Sequence, residues 1–176
     1  MRFLRNAALA ALVVLGSGIA HAADKANTVI MELASGKVVI ELLPDLAPGH
    51  VERVKQLVTE HFYDGVPFHR VIPDFMAQTG DPTGTGTGGS KYPDLKAEFT
   101  DTPFVRGTIG AARTDNPDSA NSQFFICFND TGCAHLKGQY TVWGKVVEGM
   151  ELIDAVKSGG DSVADPDKIV SMTMMQ

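Results

Sequence analysis

Past residue 27 the chain is written in short apolar runs cut apart by Gly, Pro, Asn and Asp. Segments 28–34 and 37–43, both rich in apolar and β-branched residues, flank Ser35-Gly36, which predicts a hairpin. Pro44 and Pro48 close that unit. Pro48 suits the first turn of a helix, and Val51, Val54, Leu57 and Val58 then fall on one face, predicting a helix that ends near Glu60 or His61. Segments 68–71, 75–79, 107–112, 122–128 and 141–147 each read as a short strand. Segment 148–157 reads as a second amphipathic helix with Met150, Ile153 and Val156 inward, and 168–174 alternates as a last strand. Many short strands and two isolated helices, with no repeat and no linker, predict a mainly β fold, a closed barrel rather than a parallel sheet.

The first 22 residues follow a different rule. Met1-Arg2-Phe3-Leu4-Arg5 is basic, 7–15 is almost wholly apolar, and Ala20-His21-Ala22 offers small residues at a peptidase site. That is the pattern of a cleaved secretory signal peptide over 1–22, leaving a domain of 23–176. The alternative, an uncleaved anchor, has an apolar run short of the ~20 residues that span a bilayer. Removing 1–22 takes away two arginines and no acid, so the formal charge moves from −6 to −8. An acidic chain without a Lys/Arg run is poorly matched to nucleic acid or to anionic lipid, so neither nucleic acid nor a membrane is expected as a partner of the processed form. A periplasmic address follows from the leader. There Cys127 and Cys133, separated by the turn-prone Asn129-Asp130-Thr131-Gly132, form a possible disulfide; two unpaired thiols are the alternative. Zinc is not expected, since the spacing is unlike Cys-x-x-Cys and only His135 lies near.

The glycine-rich run from Gly80 to Gly89 lacks the Lys-Ser/Thr of a phosphate loop and is expected to be a mobile or tightly turned surface loop. Gly-x-Ser-x-Gly and His-Glu-x-x-His are both missing from the chain, so those hydrolase signatures are excluded.

Three motifs remain: Phe68-His-Arg-Val-Ile-Pro-Asp-Phe-Met-Ala-Gln-Thr-Gly-Asp81, Ser122-Gln-Phe-Phe-Ile126 and Val142-Trp-Gly-Lys-Val146. In content, order and spacing they resemble the cyclophilin family, in its bacterial secreted branch, from about residue 28 to 176. The resemblance implies a closed eight-stranded antiparallel β-barrel capped by two α-helices. It also implies cis/trans isomerisation of X-Pro peptide bonds without a cofactor or metal, by a monomer acting on proline-containing segments of unfolded or partly folded exported proteins. On that likeness Arg70 is the catalytic arginine, and Gln78 and Gln123 hydrogen-bond the substrate backbone and orient Arg70, although each also reads as a satisfied core amide. Phe75, Met76, Phe125 and Leu136 form the proline pocket, although taken singly each reads equally well as core. Gln123 and the segment Ala112, Arg113 and Thr114 line the substrate groove. The chain departs from the pattern at Arg113-Thr114, where eukaryotic members have Asn-Ala, at His135 for a Trp, and at Tyr140 for a pocket histidine; His135 and Tyr140 are still expected to bind the substrate. Arg113 is thereby expected to add a charge preference. A non-catalytic proline-peptide module and a holdase-type folding factor remain compatible with the same residues.

Overall fold

A computed structural model describes residues 24–176; the leader expected over 1–22 lies outside the described residues. Eight strands form one antiparallel sheet: β1 (Thr28–Leu33), β2 (Gly36–Leu42), β3 (Arg70–Ile72), β4 (Met76–Thr79), β5 (Thr108–Ala111), β6 (Phe124–Cys127), β7 (Val142–Glu148) and β8 (Ile169–Met174). Their spatial order is β3-β4-β6-β5-β7-β2-β1-β8. The hairpin forms as its sequence predicts, with Thr28 opposite Glu41 and Leu33 opposite Gly36. Helix α1 (Pro48–Thr59) packs His50, Val51, Val54, Leu57 and Val58 inward. Its N-cap residue, Ala47, has no side chain that can cap. The Glu98 carboxylate does this from a distance, accepting from the backbone N–H of Gly49 (2.9 Å) and His50 (3.0 Å), which also sets a negative charge at the positive end of the helix. Among the described residues no helix is long and apolar enough to cross a membrane.

Two expectations need correction. The sheet is strongly curled but open, not a closed barrel, because β3 and β8 share no ladder. β3 has three residues, and Pro67 just ahead of it has no N–H to give to a partner strand. The seam is spanned instead by isolated bridges, Pro67 to Lys168 and Val71 to Gly160, and by the Phe68 N–H donating to Asp167 O (2.9 Å). The second helix is also shorter than expected: α2 runs Met150–Asp154. Glu148 belongs to β7, and Gly149 takes a left-handed φ of 81° that ends the strand. Ile153 and Val156 are buried as predicted, and Met150 packs against the core.

The sheet separates two apolar clusters. The larger fills the concave side, with Phe68, Phe124, Ile126 and Trp143 among its members; Phe124 meets Trp143 edge to face at 5.3 Å. The smaller lies on the outer face and joins Met76, Phe104, Phe125, Cys127, Cys133, Leu136 and Val142. β6 explains the division. Its alternating side chains send Phe124 and Ile126 inward and Phe125 and Cys127 outward, and all four are buried.

The glycine-rich run is tightly turned around one carboxylate. Asp81, fully buried, accepts from the backbone N–H of Thr83 (2.8 Å), Thr85 (3.1 Å), Gly86 (2.7 Å) and Gly88 (3.0 Å), and from the Thr83 hydroxyl (2.7 Å). Only glycine fits at position 88, where a Cβ would stand 2.1 Å from Asp81 Oδ1. Burial alone would raise the Asp81 pKa. The hydrogen bonds from Thr83, Gly88 and Gly86 outweigh it and bring the value down to about 2. A depressed folded-state pKa gives stability that is complete above the ordinary value of 3.8 and is lost as pH falls through about 2. Asp81→Asn should therefore cost about 2–3 kcal/mol at pH 7 in urea unfolding. The gap between variant and wild type should close between pH 4 and 2. Equal stability of the two at pH 7 would contradict the clamp.

Candidate functional site

Strand register assembles the outer face. Arg70 stands opposite Gln78 and Ile72 opposite Met76 in the β3–β4 pair. Gln78 in turn stands opposite Phe125, and Met76 opposite Cys127, in the β4–β6 pair. The two-residue period that buries Val71, Ala77 and Ile126 in the main core therefore turns Arg70, Gln78 and Phe125 outward in one row. Across β6, Phe125 faces Gly110, where a Cβ would meet Phe125 Cζ at 2.4 Å and Phe104 Cε1 at 2.8 Å. The missing side chain is what admits both rings, which stack with centroids 5.8 Å apart.

A relay of amides holds the polar part of this row. The carbonyls of Gly86 and Gly88, set by the Asp81 clamp, accept from Gln123 Nε2 at 3.0 and 2.8 Å. This turns Gln123 Oε1 toward Gln78, whose Nε2 donates to it at 3.0 Å. Gln78 Oε1 is left facing Arg70, and Nη1 donates to it at 3.4 Å. On its other side Arg70 Nε donates to Asp161 Oδ1 at 2.8 Å. Each group fixes the rotamer of the next, so the guanidinium sits over the pocket in a defined plane.

The pocket holds about 130 Å³ and is lined by Arg70, Phe75, Met76, Gln78, Ala112, Arg113, Phe125, Leu136 and Tyr140. That is below the ~300–1,000 Å³ usual for a drug-sized ligand and suits one small ring. Met76, Phe125 and Leu136 are buried and form its floor, so they serve as core and as pocket at once. Leu136 comes from a 3₁₀ turn, Ala134–Leu136, whose preceding residue Cys133 meets Cys127 of β6 with Cα atoms 6.1 Å apart. Tyr140 stands edge-on to Phe125 at 5.6 Å.

Arg113 forms the wall between this pocket and a neighbouring polar cavity of about 470 Å³. Its guanidinium lies 4.4 Å from the Tyr140 ring centroid and donates to Gln139 O from Nε (3.1 Å) and Nη2 (3.0 Å), and to Thr114 O from Nη1 (2.7 Å). Thr114 and Gln123 line that second cavity rather than the apolar pocket. The loop after Thr114 is closed on itself, with Thr114 N–H donating to Ser119 Oγ at 2.9 Å and Asp118 N–H to Asn116 Oδ1 at 3.0 Å. His135 lies outside the pocket lining, exposed at its rim, with its ring 5.6 Å from that of Phe75.

The sequence reading missed Phe104, Asp81 and Asp161. Phe104 supports Phe125 from behind, but Thr102-Pro103-Phe104-Val105 reads as loop and carries no periodicity. Asp161 sits in Ser158-Gly-Gly-Asp-Ser162, far in sequence from the arginine it contacts. Among the described residues no group of three or more His, Cys, Asp or Glu side chains could hold a metal ion. What faces the pocket is two guanidinium groups, an amide and apolar and aromatic surface. Such a site can hold a small ring and donate hydrogen bonds beside it.

The model of the family described as cyclophilin type peptidyl-prolyl cis-trans isomerase matches residues 28–174. The chain is 54% identical to the "Probable peptidyl-prolyl cis-trans isomerase" of Brucella suis, over 99% of this chain and 97% of the relative. It is 42% identical to peptidyl-prolyl cis-trans isomerase B of Bacillus subtilis, over 70% and 85% of the two chains. A crystal structure of a cyclophilin type isomerase from Cryptosporidium parvum in the presence of the dipeptide Ala-Pro is similar with a TM-score of 0.77 and 25% identity, covering 85% of this chain and 99% of that one. The chain belongs to the cyclophilin-type peptidyl-prolyl cis-trans isomerases.

Proposed function

We propose that the protein is exported to the periplasm, loses residues 1–22, and as a monomer without a cofactor speeds X-Pro rotation in unfolded or partly folded exported proteins, with Arg70 as the group that favours the twisted amide. The observation that carries this reading is the Arg70–Gln78–Gln123 relay beside a proline-sized apolar pocket. The address rests on the basic, apolar and Ala20-His21-Ala22 parts of the leader.

The mechanism follows from the bond itself. Amide resonance opposes rotation with a barrier of ~18–20 kcal/mol, while the two planar forms of an X-Pro bond differ by only ~0.5–1 kcal/mol. No bond is made or broken, so the enzyme has to bind the twisted form better than either planar one. Twisting localises the lone pair on the proline nitrogen and makes it a better acceptor. Phe75, Met76, Phe125 and Leu136 hold the ring still. The Arg70 guanidinium, already oriented and always charged, donates toward the nitrogen or the proline carbonyl. Arg113, with no carboxylate among its hydrogen-bond partners, adds a cationic wall on the side of the second cavity, which favours acidic or carbonyl-rich neighbours of the proline.

In a protease-coupled assay on a neutral Ala-Pro peptide, Arg70→Ala should lower kcat/KM at least ~100-fold, about 2.7 kcal/mol of transition-state binding, with unchanged circular dichroism. Arg70→Lys should recover little of this, since an ammonium lacks the planar fork. A loss below threefold in a folded Arg70→Ala protein would remove the arginine from the mechanism.

Protein recovered from the periplasm should have the mass of a chain that starts at Ala23, about 2 Da below that of its reduced form because Cys127 and Cys133 are joined. Reduction should cost about 2–3 kcal/mol of stability and leave turnover intact, since neither sulfur lies at the rotating bond. Labelling of both cysteines by a thiol reagent under native, oxidising conditions would overturn the bridge.

A further inference from the structure

The segment 159–163 covers the free edge of β3 and brings a carboxylate to the arginine. Val71 N–H donates to Gly160 O (3.0 Å) and Gly160 N–H donates back to Val71 O (2.9 Å). This is a reciprocal, hydrogen-bonded antiparallel pair. In that register residue 70 stands opposite residue 161, in the non-hydrogen-bonded position where facing side chains come closest. Val163 N–H then reaches His69 O (3.1 Å) and pins the segment on the far side of Asp161. Val71 points into the main core, so Arg70 and Asp161 share the outer, groove-facing side, and Nε donates to Oδ1 at 2.8 Å.

We propose that Asp161 is a positioning residue for isomerisation, acting through Arg70; this rests on the reading of Arg70 as the donor that favours the twisted amide. A planar guanidinium at the end of a flexible stem needs two points of attachment to fix its plane. Gln78 supplies one, at the long distance of 3.4 Å to Nη1. Asp161 supplies the other at Nε and leaves Nη donors free for the substrate. With the Nε contact gone, the plane is free to swing about the Gln78 contact, and a misplacement near 1 Å is enough to lower the rate of a positioned reaction. Asp161 is mostly exposed, and an exposed ion pair contributes little to folding. The two roles therefore separate by experiment.

Purified Asp161→Ala, Asp161→Asn, Arg70→Ala and the double variant Asp161→Ala/Arg70→Ala would be compared on the neutral Ala-Pro peptide, with kcat and KM resolved separately and thermal unfolding recorded. Asp161→Ala should lose about 3- to 10-fold in kcat/KM, mostly in kcat, with Tm within about 2 °C of wild type. Asp161→Asn keeps the Oδ1 acceptor and should recover most of the loss. Adding Asp161→Ala to Arg70→Ala should change nothing further. Asp161→Ala with wild-type kcat, an Asn variant as poor as Ala, or an equal loss when Arg70 is already absent would each overturn the proposal. If Arg70→Ala itself keeps wild-type activity, the arginine reading falls and the positioning role with it. If Arg70→Ala is impaired while Asp161→Ala is normal, only the positioning role falls.

Discussion

The structure depends on β6 being buried on both faces. Phe124 and Ile126 fill the concave core while Phe125 and Cys127 fill the outer cluster. Burying a large apolar side chain contributes ~1.5–3 kcal/mol, so both halves of the strand resist displacement. A slip of one residue would turn Phe125 into the core and Phe124 onto the surface, and would reverse Gln123 as well. Because β4 is paired with β6 and β3 with β4, the same register carries Gln78 and Arg70 into place. The site is therefore built by packing, and its polar groups inherit their positions from apolar ones.

Within that frame the polar groups are ordered by a single buried charge. Asp81 gathers the backbone N–H groups of its loop, which leaves the carbonyls of Gly86 and Gly88 facing Gln123. The amide of Gln123 then has one good orientation, and Gln78 and Arg70 follow from it. A glycine-rich segment is usually costly to order, because glycine loses the most conformational freedom. Here four N–H bonds to one carboxylate offset that cost, and only residues without a Cβ allow so close a wrap.

Local pattern made most of the fold legible. The hairpin of β1 and β2, the inward face of α1 and the alternation of β8 are written within single segments, and the structure follows them. The motif around Arg70 and Gln78 marked the site through family resemblance, and the register then explains why those residues meet. What escaped was non-local or lacked a period. The run 124–128 is apolar on both faces, so periodicity alone does not say which side is core, and for Phe125 and Met76 both readings hold. Closure of the barrel turned on a missing N–H at Pro67 and on the shortness of β3, neither of which changes hydrophobic pattern. Met150, Ile153 and Val156 share one face and predict a helix over 148–157, whereas β7 runs on to Glu148 and the left-handed Gly149 holds the start of α2 back to Met150. Asp161 meets Arg70 only through the seam, and a pairing across so much chain leaves no mark in the residues themselves.

The open seam has a consequence for self-association. An uncovered strand edge offers its N–H and C=O groups to any extended chain, a second copy of this one included. In this molecule Val71 has both of its main-chain groups occupied by Gly160, and Phe68 N–H is taken by Asp167. The covering segment also carries the Asp161 carboxylate, which is itself engaged by Arg70. The edge beside the arginine is thereby closed to strand addition.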